Sequence, residues 1–179
     1  MFVEIKNDMY IINQKLACKR IIFEKLKYNY QNNRSDESQM LLVPDVVSLT
    51  SKQAEILKQN LKIFEQAGFS MQEFGENTIK LTNVPSICIN LNTKQLVVNL
   101  LDKIDTVPVN SEKEIVEKFL LTIAEGIAEE ESNKLNEEDI NKLLSDLLKL
   151  PDPFVLTPEE TIATKMSRAD LEKKFSRRK

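Results

Sequence analysis

The side chains available for chemistry in this 179-residue chain are carboxylates, lysines and two cysteines, because none of its residues is histidine. Histidine titrates near neutral pH and is the commonest metal ligand. Its absence excludes Ser-His-Asp and Cys-His nucleophile systems, His-ligated metals and imidazole proton shuttles unless a second chain supplies the ring. Cys18 and Cys88 lie far apart with no framework spacing, so buried free thiols are expected rather than a disulfide or a metal pair. That usage suits a reducing cytoplasm. A cytoplasmic location without membrane contact is the expectation, since no apolar run approaches a membrane span and Met1 to Tyr10 lacks the blocks of a signal peptide. A net charge of -3 argues against a chain held to nucleic acid by its overall field.

The elements that must position these groups follow from pattern. With 41% hydrophobic and 30% charged residues, the chain has ordinary globular composition and the length of one domain or two small ones. Phe2 to Lys6 and Met9 to Ile12 read as a hairpin around Asn7-Asp8. A helix from Gln14 to about Tyr30 carries Cys18, Ile22 and Leu26 every four residues, and a polar loop spans Gln31 to Ser38. Leu41 to Leu49 reads as a strand kinked at Pro44. Thr50 and Gln53 form a capping box for a helix whose apolar stripe is Ala54, Leu57, Leu61, Phe64 and Ala67, ended by Gly68. Ser70 to Phe74 and Thr78 to Thr82 make a second hairpin around Gly75, broken at Val84-Pro85. Helices are predicted over Thr93 to Ile104, Ser111 to Glu130 and Asn136 to Leu150, then a strand over Thr161 to Met166 and a Ser167-capped helix through Phe175. Strands at both ends with helices between give an α+β class, in which the terminal strands can share one sheet while the middle forms a separate lobe.

The junction Tyr10-Ile11-Ile12-Asn13-Gln14-Lys15-Leu16-Ala17-Cys18-Lys19, continuing to Glu24, resembles the C-terminal domain of MutL mismatch-repair proteins, which commonly reads Asp-Gln-His-Ala there, followed by two glutamates. The likeness continues in register through Gln39 to Pro44, the Gly68-Phe69 and Glu73-Phe74-Gly75 turns, Thr122-Ile123-Ala124 and Asp170 to Phe175, and so covers nearly the whole chain. It implies a dimerisation lobe built from residues 1–44 and 147–179 around a small sheet, and an external helix-rich α/β lobe over 45–146. In many members this domain is a metal-dependent nicking endonuclease, needing His, Cys and carboxylate ligands. By the resemblance, Asn13 stands at the aspartate, Lys15 at the histidine and Lys19 at the first glutamate, while Gln14 and Glu24 keep the family's residue types. Glu125 takes a cysteine's place, and Leu156 and Pro158 replace the Cys and His of a final Cys-Pro-His-Gly-Arg-Pro motif. A lysine at a ligand position repels the cation and has no lone pair to donate. The resemblance therefore implies a domain with no metal, no cofactor and no nuclease activity. A charge swap is expected, Lys15 or Lys19 neutralising Glu24, Glu125, Glu159 or Glu160; the alternative is that all are solvated surface charges. The rival from another class is a remodelled metal nuclease using Glu24, Glu125, Glu129 and Glu130.

Gln39-Met40-Leu41-Leu42-Val43-Pro44 is similar to the peptide with which the family engages the polymerase sliding clamp. Gln39 would enter a polar subsite, and Leu41, Leu42 and Pro44 an apolar groove. The alternative is a plain core strand with Leu42 and its neighbours buried. The resemblance further implies a C₂ homodimer with apolar contacts between terminal strands or helices, a MutS-type mismatch sensor and a separate nicking endonuclease as partners, and an ATPase domain and linker upstream in a longer protein. DNA contact is expected to be weak or indirect. The basic tail Lys173, Lys174, Arg177, Arg178 and Lys179, with Lys165 and Arg168 nearby, is either a phosphate contact or a frayed solubilising terminus, and the second is the expectation.

Overall fold

β-Formers open the chain, and they pair as expected: β1 (Phe2–Ile5) and β2 (Asp8–Ile12) run antiparallel with Phe2 opposite Ile11 and Ile5 opposite Asp8. The computed structural model describes residues 1–5, 8–32, 38–107 and 111–175. Asn7 of the first hairpin, residues 33–37 of the polar loop, Arg177, Arg178, Lys179 and the side chain of Lys174 lie outside the described residues. After β2 come α1 (Gln14–Gln31), β3 (Ser38–Ser48), α2 (Ser51–Gln66), β4 (Ser70–Gly75), β5 (Thr78–Pro85), α3 (Thr93–Asp105), α4 (Glu112–Glu131), α5 (Glu137–Leu148), β6 (Ala163–Met166) and α6 (Arg168–Phe175). The class is α+β, with two antiparallel three-stranded sheets in the orders β1-β2-β6 and β3-β5-β4. Among the described residues no helix is long and apolar enough to cross a membrane.

The chain divides into two compact units, Met1–Ile21 with Glu131–Lys179, and Ile22–Glu130. The boundaries expected at 44/45 and 146/147 do not coincide with these. Ser38 already pairs with Pro85 of β5, so the first half of β3 goes with the middle sheet, while α5 goes with the chain ends.

In the unit of the chain ends, β6 pairs with β2 from Ile12 opposite Ala163 to Met9 opposite Met166. Ile12, Ala163, Ala17, Leu147 and Ile162 are buried, and Tyr10 stacks on Phe154 with centroids 5.1 Å apart. The expected strand over 161–166 begins later, because Thr161 instead forms an isolated bridge with Val155. In the middle unit Phe64, Phe69 and Phe119 meet edge to face at 4.8–6.1 Å between centroids. Each such pair adds about 0.5–1.5 kcal/mol beyond area burial. Leu81, Leu100, Leu101, Ile123 and Ile127 of the same unit are also buried. The Thr50–Gln53 capping box is present in both directions, and Gly68 leaves α2 at φ 97° with Phe69 N–H returning to the Phe64 carbonyl. The stripe of α2 differs from expectation: Leu61 is exposed and Ile63 buried in its stead. The second hairpin turns at Glu76-Asn77, with Asn77 at φ 51°, a conformation asparagine tolerates. β5 does not break at Val84; it runs to Pro85, where a strand end needs no further N–H donor.

Candidate functional site

Asn13 to Lys19 form the β2–α1 junction, and the structure gives each described contact there a local reason. Asn13 caps α1, its side-chain oxygen accepting from Leu16 N–H at 3.1 Å, while its own N–H donates to the Ile162 carbonyl at 2.8 Å. Capping satisfies an amide that the first turn leaves unpaired. The Gln14 amide donates to the carbonyl of Ser132, the residue after α4, at 2.6 Å. Lys15 is half-buried. Lys19, one turn further, is buried, and its ammonium donates to both carboxylate oxygens of Glu160 at 3.3 and 3.1 Å.

Glu160 is delivered to that position by a tight loop. Its N–H donates to the Thr157 hydroxyl at 3.1 Å, its carbonyl accepts from Leu156 N–H at 2.9 Å, and Ile162 N–H reaches the Phe154 carbonyl at 2.7 Å. Arg20 donates from its guanidinium to the carbonyls of Val155 at 2.6 Å and Pro151 at 3.3 Å, fastening the same loop to α1. Leu156 is buried and Pro158 exposed. Of the expected charge exchanges, Lys19 with Glu160 is thus formed. Glu24 and Glu125 are half-buried residues of the middle unit.

Divalent cations need lone pairs from several carboxylates, thiolates or imidazoles around one point. Here Asn13 is committed to capping, Lys19 brings a positive charge, and among the described residues no group of three or more Cys, Asp or Glu side chains could hold one ion. The donor set does not fit a metal. Cys18 lies on α1 next to Lys19 and Cys88 lies in the middle unit; burial, and the nearby Glu131 carboxylate, push Cys18 up to about 11, and burial alone pushes Cys88 up to about 12.

Gln39 to Pro44 occupy an edge strand interrupted by a wide bulge. Met40 pairs with Asn83 and Asp45 with Leu81, so the four residues Leu41 to Pro44 face only Thr82 on β5. Pro44 lacks an N–H, which confines it to an edge or bulge. Leu42 is fully exposed, Met40 and Val43 largely so, Gln39 is exposed, and Leu41 and Pro44 are half-buried. The core-strand alternative is overturned, because Leu42 would then be buried.

A second apolar surface was not assigned residues by sequence reasoning. Opposite residues of paired strands share a face, so Phe2, Ile11 and Thr164 line up on the terminal sheet beside Glu4, Met9 and Met166. Phe2 is 73% and Ile11 37% exposed, while Ile12 and Ala163 on the other face are buried. The alternation of β1 and β2 was the available signal. Of the cations near the tail, Lys165 pairs with Asp8 at 2.6 Å and Arg168 with Glu172 at 3.0 Å.

A family model described as the MutL C terminal dimerisation domain matches residues 1–135. The DNA mismatch repair protein MutL of Clostridium botulinum strain Langeland is 33% identical over 177 residues, 99% of this chain and 26% of the relative. MutL of Clostridium beijerinckii is 29% identical over 174 residues, covering 97% of this chain and 26% of the relative. MutL of Clostridium acetobutylicum is 28% identical over 177 residues, 99% and 28% respectively. The chain spans about a quarter of the length of the curated relatives it matches.

Proposed function

The chain belongs to the family of MutL C-terminal dimerisation domains, and from that premise we propose that it is a non-catalytic module for pairing and recruitment in DNA mismatch repair. The observation that carries this reading is where apolar surface is left in water: Phe2 and Ile11 on the terminal sheet, and Met40, Leu42 and Val43 on the β3 bulge. Contiguous exposed apolar side chains mark interaction sites. A C₂ interface sets the same patch against itself, so Phe2, Met9, Ile11 and Met166 pack on their copies in a homodimer. In a longer protein that pairing tethers what each chain carries and raises its effective concentration.

Gln39, Leu41, Leu42 and Pro44 serve the polymerase sliding clamp, the amide in a polar subsite and the aliphatics in an apolar groove. The Lys19–Glu160 pair supports the non-catalytic part, since an ammonium fills the place where a ligand would have to donate. Nicking then falls to a separate endonuclease, with a MutS-type sensor as a further partner and DNA contact weak or indirect.

Three measurements on the purified chain test the reading: light scattering, titration with the sliding clamp, and incubation of supercoiled plasmid with manganese. The expected results are a dimer, clamp binding that Gln39→Ala and Leu42→Ala both weaken, and intact plasmid. A monomer at micromolar concentration overturns pairing, and clamp binding indifferent to both substitutions overturns recruitment. Manganese-dependent nicking abolished by Glu24→Ala overturns the non-catalytic part.

A further inference from the structure

The bulge that carries Leu42 is anchored at one end by a polar latch. Asp45 follows Pro44 directly and is the residue at which β3 regains register with β5. Its carboxylate accepts a hydrogen bond from the Thr93 hydroxyl, and Lys94 Nζ lies 3.5 Å from its other oxygen. Thr93 and Lys94 open α3, whose cap is Asn92. A carboxylate is favoured beside a helix start, where unpaired amides and the positive end of the dipole meet it. Thr93 is buried and Asp45 half-buried, so their bond lies where the local dielectric is low and a missing partner is costly.

The geometry next to this latch is short and stiff. Only Pro44, whose ring fixes φ, separates Asp45 from the exposed Val43, and Leu42 is one residue further. On the far side of the bulge the strand is held by Met40 opposite Asn83. Leu42 and Val43 thus leave the sheet between two held residues, Met40 opposite Asn83 and Asp45 opposite Leu81.

We propose that Asp45 and Thr93 are positioning residues, whose hydrogen bond pins the bulge to the start of α3 and fixes the outward presentation of Leu41 to Pro44. A bulge already held in its binding geometry loses less freedom when a partner docks, which improves affinity without adding a contact. The choice of sliding clamp as binding probe rests on the recruitment reading above; the latch itself does not.

Two substitutions test it. Thr93→Val removes the hydroxyl at nearly constant volume, and Asp45→Asn keeps an acceptor but removes the charge. Each variant is followed by hydrogen exchange over residues 39–48, with α5 in the other unit as internal reference, and titrated with the purified sliding clamp. In Thr93→Val, exchange over 39–48 is expected to quicken and clamp affinity to fall, each about tenfold, the scale of one lost hydrogen bond to a charged group. Asp45→Asn falls between, and the reference is unmoved. Exchange unchanged in both variants overturns the latch; faster exchange with undiminished affinity overturns the positioning role. If the wild type does not bind the clamp, the recruitment reading fails and exchange alone decides the latch. If Thr93→Val does not fold, Asp45→Asn at the half-buried acceptor carries the same comparison.

Discussion

Glu160→Gln is expected to destabilise the protein more than Lys19→Met, although both break the same ion pair. The Lys19 side chain is 7% exposed and that of Glu160 36%, so the two variants leave very different charges behind. Removing one partner of a fully buried pair costs about 3–5 kcal/mol because the other charge stays uncompensated. Exposed pairs are worth about 0–1 kcal/mol. With Glu160 about a third open to water, Glu160→Gln is expected to cost about 2 kcal/mol, the fully buried figure discounted for solvent. Lys19→Met instead exchanges a desolvated ammonium for an apolar side chain of similar length and leaves a carboxylate that water reaches, at about 0–1 kcal/mol. For a chain of this size 1 kcal/mol moves Tm by about 2–4 °C, so Glu160→Gln lowers it by about 4–8 °C. Urea unfolding followed by circular dichroism gives the free energies directly. Half-molar sodium chloride leaves the difference in place, because buried pairs are weakly screened. Lys19→Met costing as much as Glu160→Gln, or more, refutes the assignment of Lys19 as the buried partner whose charge needs compensation.

Ile11→Glu places a charge between Phe2 and Thr164 on the open sheet face and is expected to convert dimer to monomer by light scattering with an unchanged circular dichroism spectrum. Phe119→Ala removes the ring that meets both Phe64 and Phe69, and is expected to cost about 3–5 kcal/mol in urea unfolding. Cys18 and Cys88, raised from 9.0 to about 11 and about 12, are expected to resist maleimide at pH 8 until the protein is unfolded. Above pH 9 the unfolded chain loses thiol protons that the folded one keeps, so stability falls as pH climbs toward 11; Cys88→Ala removes part of that fall, measured as urea midpoints at pH 8.5 and pH 10.

Local chemistry was the legible part. The Thr50–Gln53 box, the start of α5 at Asn136 and the Gly68 stop are each decided by residues within one helical turn, and each stands where the sequence placed it. The stripe of Cys18, Ile22 and Leu26 was also readable, since all three are buried on α1. Lys19 beside that stripe reads as surface by type. Its pairing with Glu160, 141 residues away in sequence, was expected from the family resemblance and not from the local pattern, which does not announce that Lys19 is buried. Asp45 and Thr93 are separated in the same manner, by 48 residues. Pro44 announced a kink in β3 but not its size, because a bulge is set by the register of the partner strand on either side.

The pairing of β2 with β6 has a consequence in time. Ile12 and Ala163 meet across about 150 residues of chain, a closure that carries a large entropic cost and cannot begin until the distal strand exists. During synthesis, at roughly 5–20 residues per second, β2 and α1 emerge early and wait, while the continuous middle unit, complete at Glu130, already has its own sheet and aromatic core. The face carrying Phe2, Met9, Ile11 and Met166 therefore stays incomplete until β6 has been made. On the pairing proposed above, self-association waits for the strand at the edge of that face, and a nascent chain cut short before residue 163 presents no finished face to a partner.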